Sequence, residues 1–261
     1  MGALKKLHDY IWPEELECYQ LHRSLYLNRN TLNQFRLSCF LLYYLPCTLY
    51  TFIFGGLPFY YFLFFFTIWG HLACMVYFVC IYFVERSIRP DNLPQKGFAW
   101  KFTHILFEMA FAAEVTIPVF FWAVLAVPYF ESVKNDDDFT LILIINILVH
   151  GVTPLLIYLE VAFNYIPFHF RHAYVFIPIV GVVYSCINAI GVLVLQIQIY
   201  QPIIDWKSVG TPLFLALAFS LTLGGFAIGR FIHQRKEKVF HRRKSLLKVG
   251  TESQRNEETL F

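Results

Sequence analysis

Six long apolar runs constrain the fold of this chain more than any other feature of its sequence. A helix needs roughly 20 mainly apolar residues to cross the hydrocarbon core of a membrane, and each run has about that length. Helices are the expected form because a single span must satisfy its own backbone in lipid, and the sequence lacks the alternating pattern of a membrane β-barrel. We therefore predict an all-α, polytopic membrane protein, a bundle of six transmembrane helices at about 37–54, 59–84, 102–127, 139–163, 173–195 and 211–232.

The composition agrees with an integral membrane protein. Hydrophobic residues make up 57% of the chain and charged residues 15%, whereas soluble domains carry about 25% charge. The N-terminal stretch has no continuous apolar segment with a small-residue cleavage site, so we expect no cleaved signal peptide. We predict three regions: a cytosolic N-terminal segment (1–36), the six-helix transmembrane domain (37–232) and a basic, partly disordered cytosolic tail (233–261).

Lysine and arginine are distributed unevenly among the connections. All but two of the 21 lie in the N-terminal segment, in the loops after the second and fourth runs, or at the C-terminal end. The two exceptions are Lys134 and Lys207. Because positively charged connections stay on the cytosolic side, we predict that both termini are cytosolic. The endoplasmic reticulum and the plasma membrane fit this arrangement equally well.

Three polar side chains from three different runs are predicted to lie near one depth in the membrane. With a rise of about 1.5 Å per residue, Thr67 lies roughly 12 Å below the outer boundary and His150 roughly 16 Å below it. Glu114 lies ~12 Å from the same boundary. Because ionisable groups are costly at such depth, we expect these side chains to form an inward-facing cluster.

Each of these side chains also has a purely structural interpretation. A membrane threonine commonly bonds the carbonyl one turn back, and a buried histidine commonly bonds a neighbouring helix. His150, however, lies beside Gly151 and close to Pro154, which lacks the backbone donor that would bind the His150 carbonyl. Bent helices at this depth often line binding sites, which favours a functional interpretation.

Four fragments carry a resemblance to a known family: "FFTIWGHLACMVYF", "FEMAFAAEVTIPVFFWAVL", "NILVHGVTPLLIYLEVAF" and "IPFHFRHAYVFIPIVGVVY". They lie between residues 65 and 184. In order and spacing they resemble the androgen-induced-protein family, which includes the androgen-dependent tissue-factor-pathway-inhibitor regulator, and most of all its rolling-stone-like branch. The resemblance implies a multi-helix fold and, in the best-understood branch, hydrolysis of fatty acid esters of hydroxy fatty acids. The rolling-stone-like branch is associated with myoblast fusion.

The resemblance also implies which residues react. In the hydrolase branch a second-span threonine is the nucleophile and a fourth-span histidine the base, and these positions match Thr67 and His150. We therefore predict an intramembrane, threonine-dependent lipid esterase in which His150 takes the Thr67 proton during attack. The predicted supporting residues are Glu114 or Asn146 to orient the imidazole, the Trp69 indole N–H and Thr153 hydroxyl to stabilise the oxyanion, and His71 beside Thr67 on one helix face.

We predict no metal and no cofactor. The sequence lacks the histidine boxes of membrane di-iron enzymes and the HExxH zinc motif, and the "HFRH" at 169–172 is by itself a weak signal. The predicted partners are membrane lipids and a lipid ester substrate, without nucleic acid, and no feature identifies a protein partner. The alternative is a non-enzymatic multi-pass protein of cell adhesion or myoblast-type fusion. A small transporter is a third class, but a charged path across the whole bilayer is not evident.

Overall fold

The computed structural model describes residues 2–12, 21, 23–54, 59–87, 97–197, 200 and 206–258. Within these ranges the chain is helical without a β-strand, which confirms the all-α prediction, and six of the described helices are long and apolar enough to cross a membrane. The short α1 spans Gly2–Ile11. The six long helices are α2 (Arg29–Ile53), α3 (Phe66–Ser87), α4 (Phe98–Val133), α5 (Phe139–Phe163), α6 (Phe170–Leu193) and α7 (Gly210–Phe240), and α7 continues as a helix to Glu258.

The first membrane helix begins well before the predicted boundary at residue 37. Asn28 caps it, because its side-chain oxygen accepts a hydrogen bond of 2.9 Å from the Thr31 backbone N–H. The polar residues that follow are helical, and Leu32 and Arg36 are fully buried. The predicted N-terminal segment therefore contains the first turns of α2.

Three of the long helices contain a π-helical turn within the described residues. These turns are Phe40–Tyr44 in α2, Phe121–Leu125 in α4 and Leu148–Val152 in α5. The turn in α5 has an identifiable cause, because Pro154 follows it and has no N–H to continue the α-helical ladder. Such turns are frequent at functional sites.

Helix α4 occupies the centre of the bundle. Half of its most apolar stretch is buried, against 22–39% for the other long helices. It packs against α3, α5 and α7. The approach to α7 is close at Gly225, where a Cβ would lie 2.9 Å from the Val115 Cβ and 3.1 Å from the Ala112 carbonyl oxygen. A small residue at this position lets the two helix backbones approach each other, as is common in membrane bundles.

A buried ion network connects α2, α3 and α5. The Arg36 guanidinium donates hydrogen bonds to the Glu160 carboxylate of α5 and to the Glu85 carboxylate of α3. All three side chains are fully buried. The Leu21 carbonyl accepts a further hydrogen bond of 3.0 Å from Arg36. This pairing allows the charges to be buried, because an unpaired charge in the interior is strongly destabilising.

Helix α1 and the second half of α7 lie at the same end of the bundle, which we call the basic end. The Tyr10 carbonyl in α1 accepts a hydrogen bond of 3.2 Å from Arg171 at the start of α6. The Lys236 ammonium in α7 donates to backbone carbonyls where α5 ends. The chain after residue 232, predicted to be a partly disordered tail, is helical as far as Glu258.

Candidate active site

An apolar cavity of about 810 Å³ opens between α3, α4, α6 and α7. Its volume falls within the ~300–1,000 Å³ of typical small-molecule sites. Aromatic and aliphatic side chains form nearly all of its wall, which suits the acyl chain of a lipid better than a water-soluble molecule. The hydroxyl-bearing residues on the wall are Thr67, Tyr184, Ser185, Tyr200 and Thr222.

The predicted nucleophile, Thr67, lies in the first turn of α3 and borders this cavity. Its side chain is half-buried rather than enclosed. The Tyr200 hydroxyl lies beside it and accepts a hydrogen bond of 3.0 Å from the Phe66 backbone N–H. Thr67 is therefore adjacent to a space of the size and polarity that a lipid chain requires.

Tyr200 was missed by the sequence reasoning. Its backbone φ is 61°, in the left-handed region that non-glycine residues rarely adopt, and such strain concentrates at functional sites. Burial raises the pKa of the Tyr200 hydroxyl, so the group stays protonated and can donate a hydrogen bond. The sequence offers no signal for it, because it lies in the connection between α6 and α7, outside the apolar runs.

The predicted base, His150, lies in the π turn of α5 and is buried, but it is not part of the cavity wall. Its imidazole stacks on the Phe121 ring, with 3.6 Å between the ring centres and 1° between the planes. Its Nδ1 has no hydrogen-bond partner. The His150 carbonyl, which Pro154 leaves without a helical donor, accepts a hydrogen bond of 3.2 Å from the Trp122 indole N–H.

Phe121 separates the two predicted catalytic residues. It borders the cavity, as Thr67 does, and its ring also covers the His150 imidazole. No hydrogen bond joins Thr67 to His150 in the part of the chain that the structure describes. The two residues are therefore not a preformed nucleophile–base pair in this structure.

Glu114 is buried behind the cavity wall, and neither of its carboxylate oxygens has a hydrogen-bond partner. One oxygen lies against Gly70, where a Cβ would be 2.5 Å from Glu114 Oε1 and 2.3 Å from Ile117 Cδ1. Gly70 and Ile117 both border the cavity. The role predicted for Glu114, to orient the His150 imidazole, requires a hydrogen bond between the two side chains. Glu114 makes no such bond.

Two further predicted supporting residues bond nearby backbone instead. The Asn146 side-chain amide donates a hydrogen bond of 2.8 Å to the Ile142 carbonyl one turn back in α5. The Trp69 indole N–H donates one of 2.9 Å to the Leu63 carbonyl. The indole donor predicted to stabilise an oxyanion is thus occupied, although the Trp69 ring contributes apolar surface to the cavity.

His71 and Thr153 meet in a separate polar cluster between α2, α3 and α5. His71 Nδ1 lies 3.0 Å from Thr153 Oγ1, and His71 Nε2 lies 3.0 Å from Thr48 Oγ1. The Tyr43 hydroxyl extends the chain, 2.8 Å from Thr153 Oγ1. Because both ring nitrogens are engaged, His71 does not bond Thr67. The Thr153 hydroxyl likewise belongs to this cluster and not to the cavity wall.

The structure also brings together side chains that can hold a metal ion, at the basic end. They are His104 and Glu108, four residues apart on α4, and His172 of α6, which follows Glu108 by 64 residues. The chain matches no family model, no curated protein and no solved structure. The resemblance to the androgen-induced-protein family therefore stays a prediction.

Proposed function

We propose that this protein is an intramembrane lipid esterase in which Thr67 attacks the ester carbonyl of a lipid held in the apolar cavity. The observation that carries the proposal is the position of Thr67 on the wall of an otherwise apolar cavity of about 810 Å³. A fatty acid ester of a hydroxy fatty acid has its ester bond between two acyl chains. The scissile bond of such a substrate lies below the headgroups, and Thr67 is predicted to lie roughly 12 Å below the outer boundary.

The proposed reaction has two steps. The Thr67 oxygen attacks the ester carbonyl carbon while its proton passes to a general base. The C–O ester bond breaks, and the hydroxy fatty acid leaves with that proton. Water then attacks the acyl-threonine, which releases the fatty acid and restores the Thr67 hydroxyl. The sum is one ester and one water converted to one acid and one hydroxy acid.

His150 is the proposed base, and Phe121 controls its access to the cavity. The unpartnered His150 Nδ1 is available to accept a proton. Catalytic hydrogen bonds are often long or poorly aligned without substrate and shorten once it binds. We infer that an acyl chain in the cavity displaces the Phe121 ring and brings the imidazole close to Thr67.

Tyr200 is the proposed oxyanion donor, in place of the two donors predicted from the sequence. The Trp69 indole N–H bonds a backbone carbonyl, and the Thr153 hydroxyl bonds His71. The Tyr200 hydroxyl borders the cavity beside Thr67, and it accepts its hydrogen bond from the Phe66 N–H. Its own O–H can therefore donate to the oxygen on which negative charge develops.

We propose further that the basic end faces the cytosol, in the endoplasmic reticulum or the plasma membrane. The uneven distribution of lysine and arginine supports this orientation, since only Lys134 and Lys207 fall in the other connections. The contacts of α1 with α6, and of Lys236 with the end of α5, agree with an even number of membrane crossings. An epitope tag at either terminus should be inaccessible to antibody in intact cells and should become accessible once the plasma membrane alone is permeabilised.

The test of the esterase is hydrolysis of a synthetic fatty acid ester of a hydroxy fatty acid by the purified full-length protein in lipid vesicles. Thr67→Ala should reduce the rate to that of empty vesicles, whereas Thr67→Ser should retain activity. His150→Ala should reduce the rate about 10²–10⁴-fold, the usual contribution of a general base. Ser185→Ala is the matched control, because it removes another hydroxyl from the same wall and should have little effect.

Equal rates for the wild type, Thr67→Ala and His150→Ala would reject the assignment. The adhesion or fusion alternative predicts a different pattern, in which the wild type binds lipid but forms no product. A photoreactive acyl lipid that labels the cavity residues while no fatty acid is released would favour that alternative. Tyr200→Phe separates the roles further, since it should lower the rate of the first step without preventing lipid labelling.

A further inference from the structure

Three imidazoles and a carboxylate converge at the basic end of the bundle, outside the cavity wall. They belong to His104 and Glu108 of α4, to His172 of α6, and to His169 immediately before α6. The ring centres of the three histidines lie 5.4–5.5 Å from one another. The ligand atoms of His104, Glu108 and His172 all lie within 4.8 Å of one another, and these three side chains are buried.

We propose that this cluster is a zinc site with His104, Glu108 and His172 as ligands and His169 as the fourth. Imidazole nitrogens with one carboxylate suit zinc and its first-row neighbours, whereas magnesium and calcium prefer oxygen ligands. Two imidazoles on one tetrahedral zinc have ring centres about 5 Å apart, because each nitrogen lies 2.0–2.1 Å from the ion. The spacing of the three rings agrees with this requirement.

The hydrogen bonds of His172 orient it as a ligand. Its Nε2 lies 3.1 Å from the Ile11 carbonyl oxygen, which cannot donate, so Nε2 must carry the proton. In the neutral ring Nδ1 then has the lone pair, and it contacts Glu108 Oε2. Two lone pairs face each other at this contact unless a cation, either a proton or a metal ion, lies between them. Metal-bound histidines usually donate their second nitrogen to a carbonyl or carboxylate in this manner.

The other contacts show what zinc binding changes. Glu108 Oε1 accepts a hydrogen bond of 2.6 Å from the His169 backbone N–H and lies 3.5 Å from His104 Nε2. His104 Nε2 also lies 2.9 Å from the Pro167 carbonyl, and binding exchanges this hydrogen bond for a metal bond. His169 Nε2 is buried without a partner.

The site is closed, which indicates a structural role. The Trp12 ring covers it from the N-terminal side, with its centre 4.7 Å from that of His172 and 6.1 Å from that of His104. Four protein ligands leave no open position for a reacting water. Zinc would therefore join α4 to the start of α6 at the basic end. This role does not depend on the proposed esterase activity.

The test measures the metal content of the full-length protein, purified in detergent through a tag without histidines. Elemental mass spectrometry should find about one zinc per wild-type chain. After removal of zinc with EDTA, added cobalt should bind in its place and give the visible absorption of a tetrahedral cobalt centre. The cobalt spectrum reports the ligands directly, without any activity measurement.

Two variants and a matched control identify the ligands. His172→Asn and Glu108→Gln should each reduce the bound metal about tenfold or more. His8→Asn should retain it, because His8 is an exposed histidine at the same end of the bundle. Folded wild-type protein that binds neither zinc nor cobalt would overturn the proposal, however the variants behave. Full metal content in both His172→Asn and Glu108→Gln would overturn it as well.

Discussion

Replacement of Arg36 by methionine tests how the bundle depends on its buried ion network. Arg36 Nε and Nη2 donate to Glu160 Oε1 at 2.9 and 2.6 Å, and Nη1 donates to Glu85 Oε2 at 3.1 Å. Nη2 also donates to the Leu21 carbonyl at 3.0 Å. Methionine keeps most of the aliphatic stem but removes every donor. Among the described residues, Arg36 is the one fully buried cation that pairs with both the Glu160 and the Glu85 carboxylates, and the substitution removes it.

The size of the effect follows from these contacts. The four charge-assisted hydrogen bonds, at about 1.5–3 kcal/mol each, give a gross loss of about 6–12 kcal/mol. Part of this loss is offset, because the guanidinium no longer has to be desolvated. We therefore expect Arg36→Met to lower the free energy of unfolding by about 3–5 kcal/mol, as when one partner of a buried ion pair is removed.

Reversible unfolding of the purified protein in mixed detergent micelles measures this change. Arg29→Met is the matched control, because Arg29 lies on the same helix and also bonds Glu85, but its side chain is 40% exposed. It should cost less than about 1 kcal/mol. The double variant Arg36→Met/Glu160→Gln should be more stable than the sum of the single changes predicts, by about 1–3 kcal/mol.

Equal losses for Arg36→Met and Arg29→Met, both below about 1 kcal/mol, would refute this reasoning. Strict additivity in the double variant would refute it too, because it would show that Arg36 and Glu160 do not stabilise each other. Either result would mean that the free-energy cost of burying these charges is offset by something other than their mutual pairing.

Two further predictions concern packing and the second polar cluster. His71→Phe keeps the ring but leaves two buried hydroxyls without their imidazole partner, and it should lower the free energy of unfolding by about 1–3 kcal/mol in the same micelle assay. Gly229→Ala should cost about 1–3 kcal/mol, because the new Cβ would lie 2.5 Å from the Phe168 ring. Gly224→Ala, which meets no atom within 4 Å, should change stability by less than about 0.5 kcal/mol, and a similar loss in both glycine variants would contradict the packing argument.

The helix boundaries show where sequence reasoning is limited. The predicted first span begins at residue 37, because the residues before it are polar and include Arg36. In the structure α2 begins at Arg29, and Arg36 is buried because Glu85 and Glu160 from two other helices neutralise it. Partners supplied by other helices cannot be recognised from the composition of one segment.

The candidate site shows the same limit more strongly. Thr67, the nucleophile predicted from the sequence, borders the cavity. The imidazole of His71, four residues later, bonds threonines of α2 and α5 instead. Phe121 packs on the candidate base and Tyr200 lies beside the candidate nucleophile. Neither has a sequence signal, because Phe121 is one of many aromatic residues in its apolar run and Tyr200 lies in a connection outside the runs.

The sequence by itself determined that this chain can cross a membrane six times as helices. Hydrophobic length is a local property, and in lipid a segment has to satisfy its own backbone hydrogen bonds. Only the tertiary structure decided which polar side chains meet, because the lipid-facing and protein-facing sides of a membrane helix are both apolar. The hydrophobic pattern along a helix therefore does not reveal how the helix is rotated about its axis. From one residue to the next, the side-chain direction turns by about 100° about that axis. That rotation decides whether a side chain borders the cavity, as Thr67 does, or packs behind an aromatic ring, as His150 does.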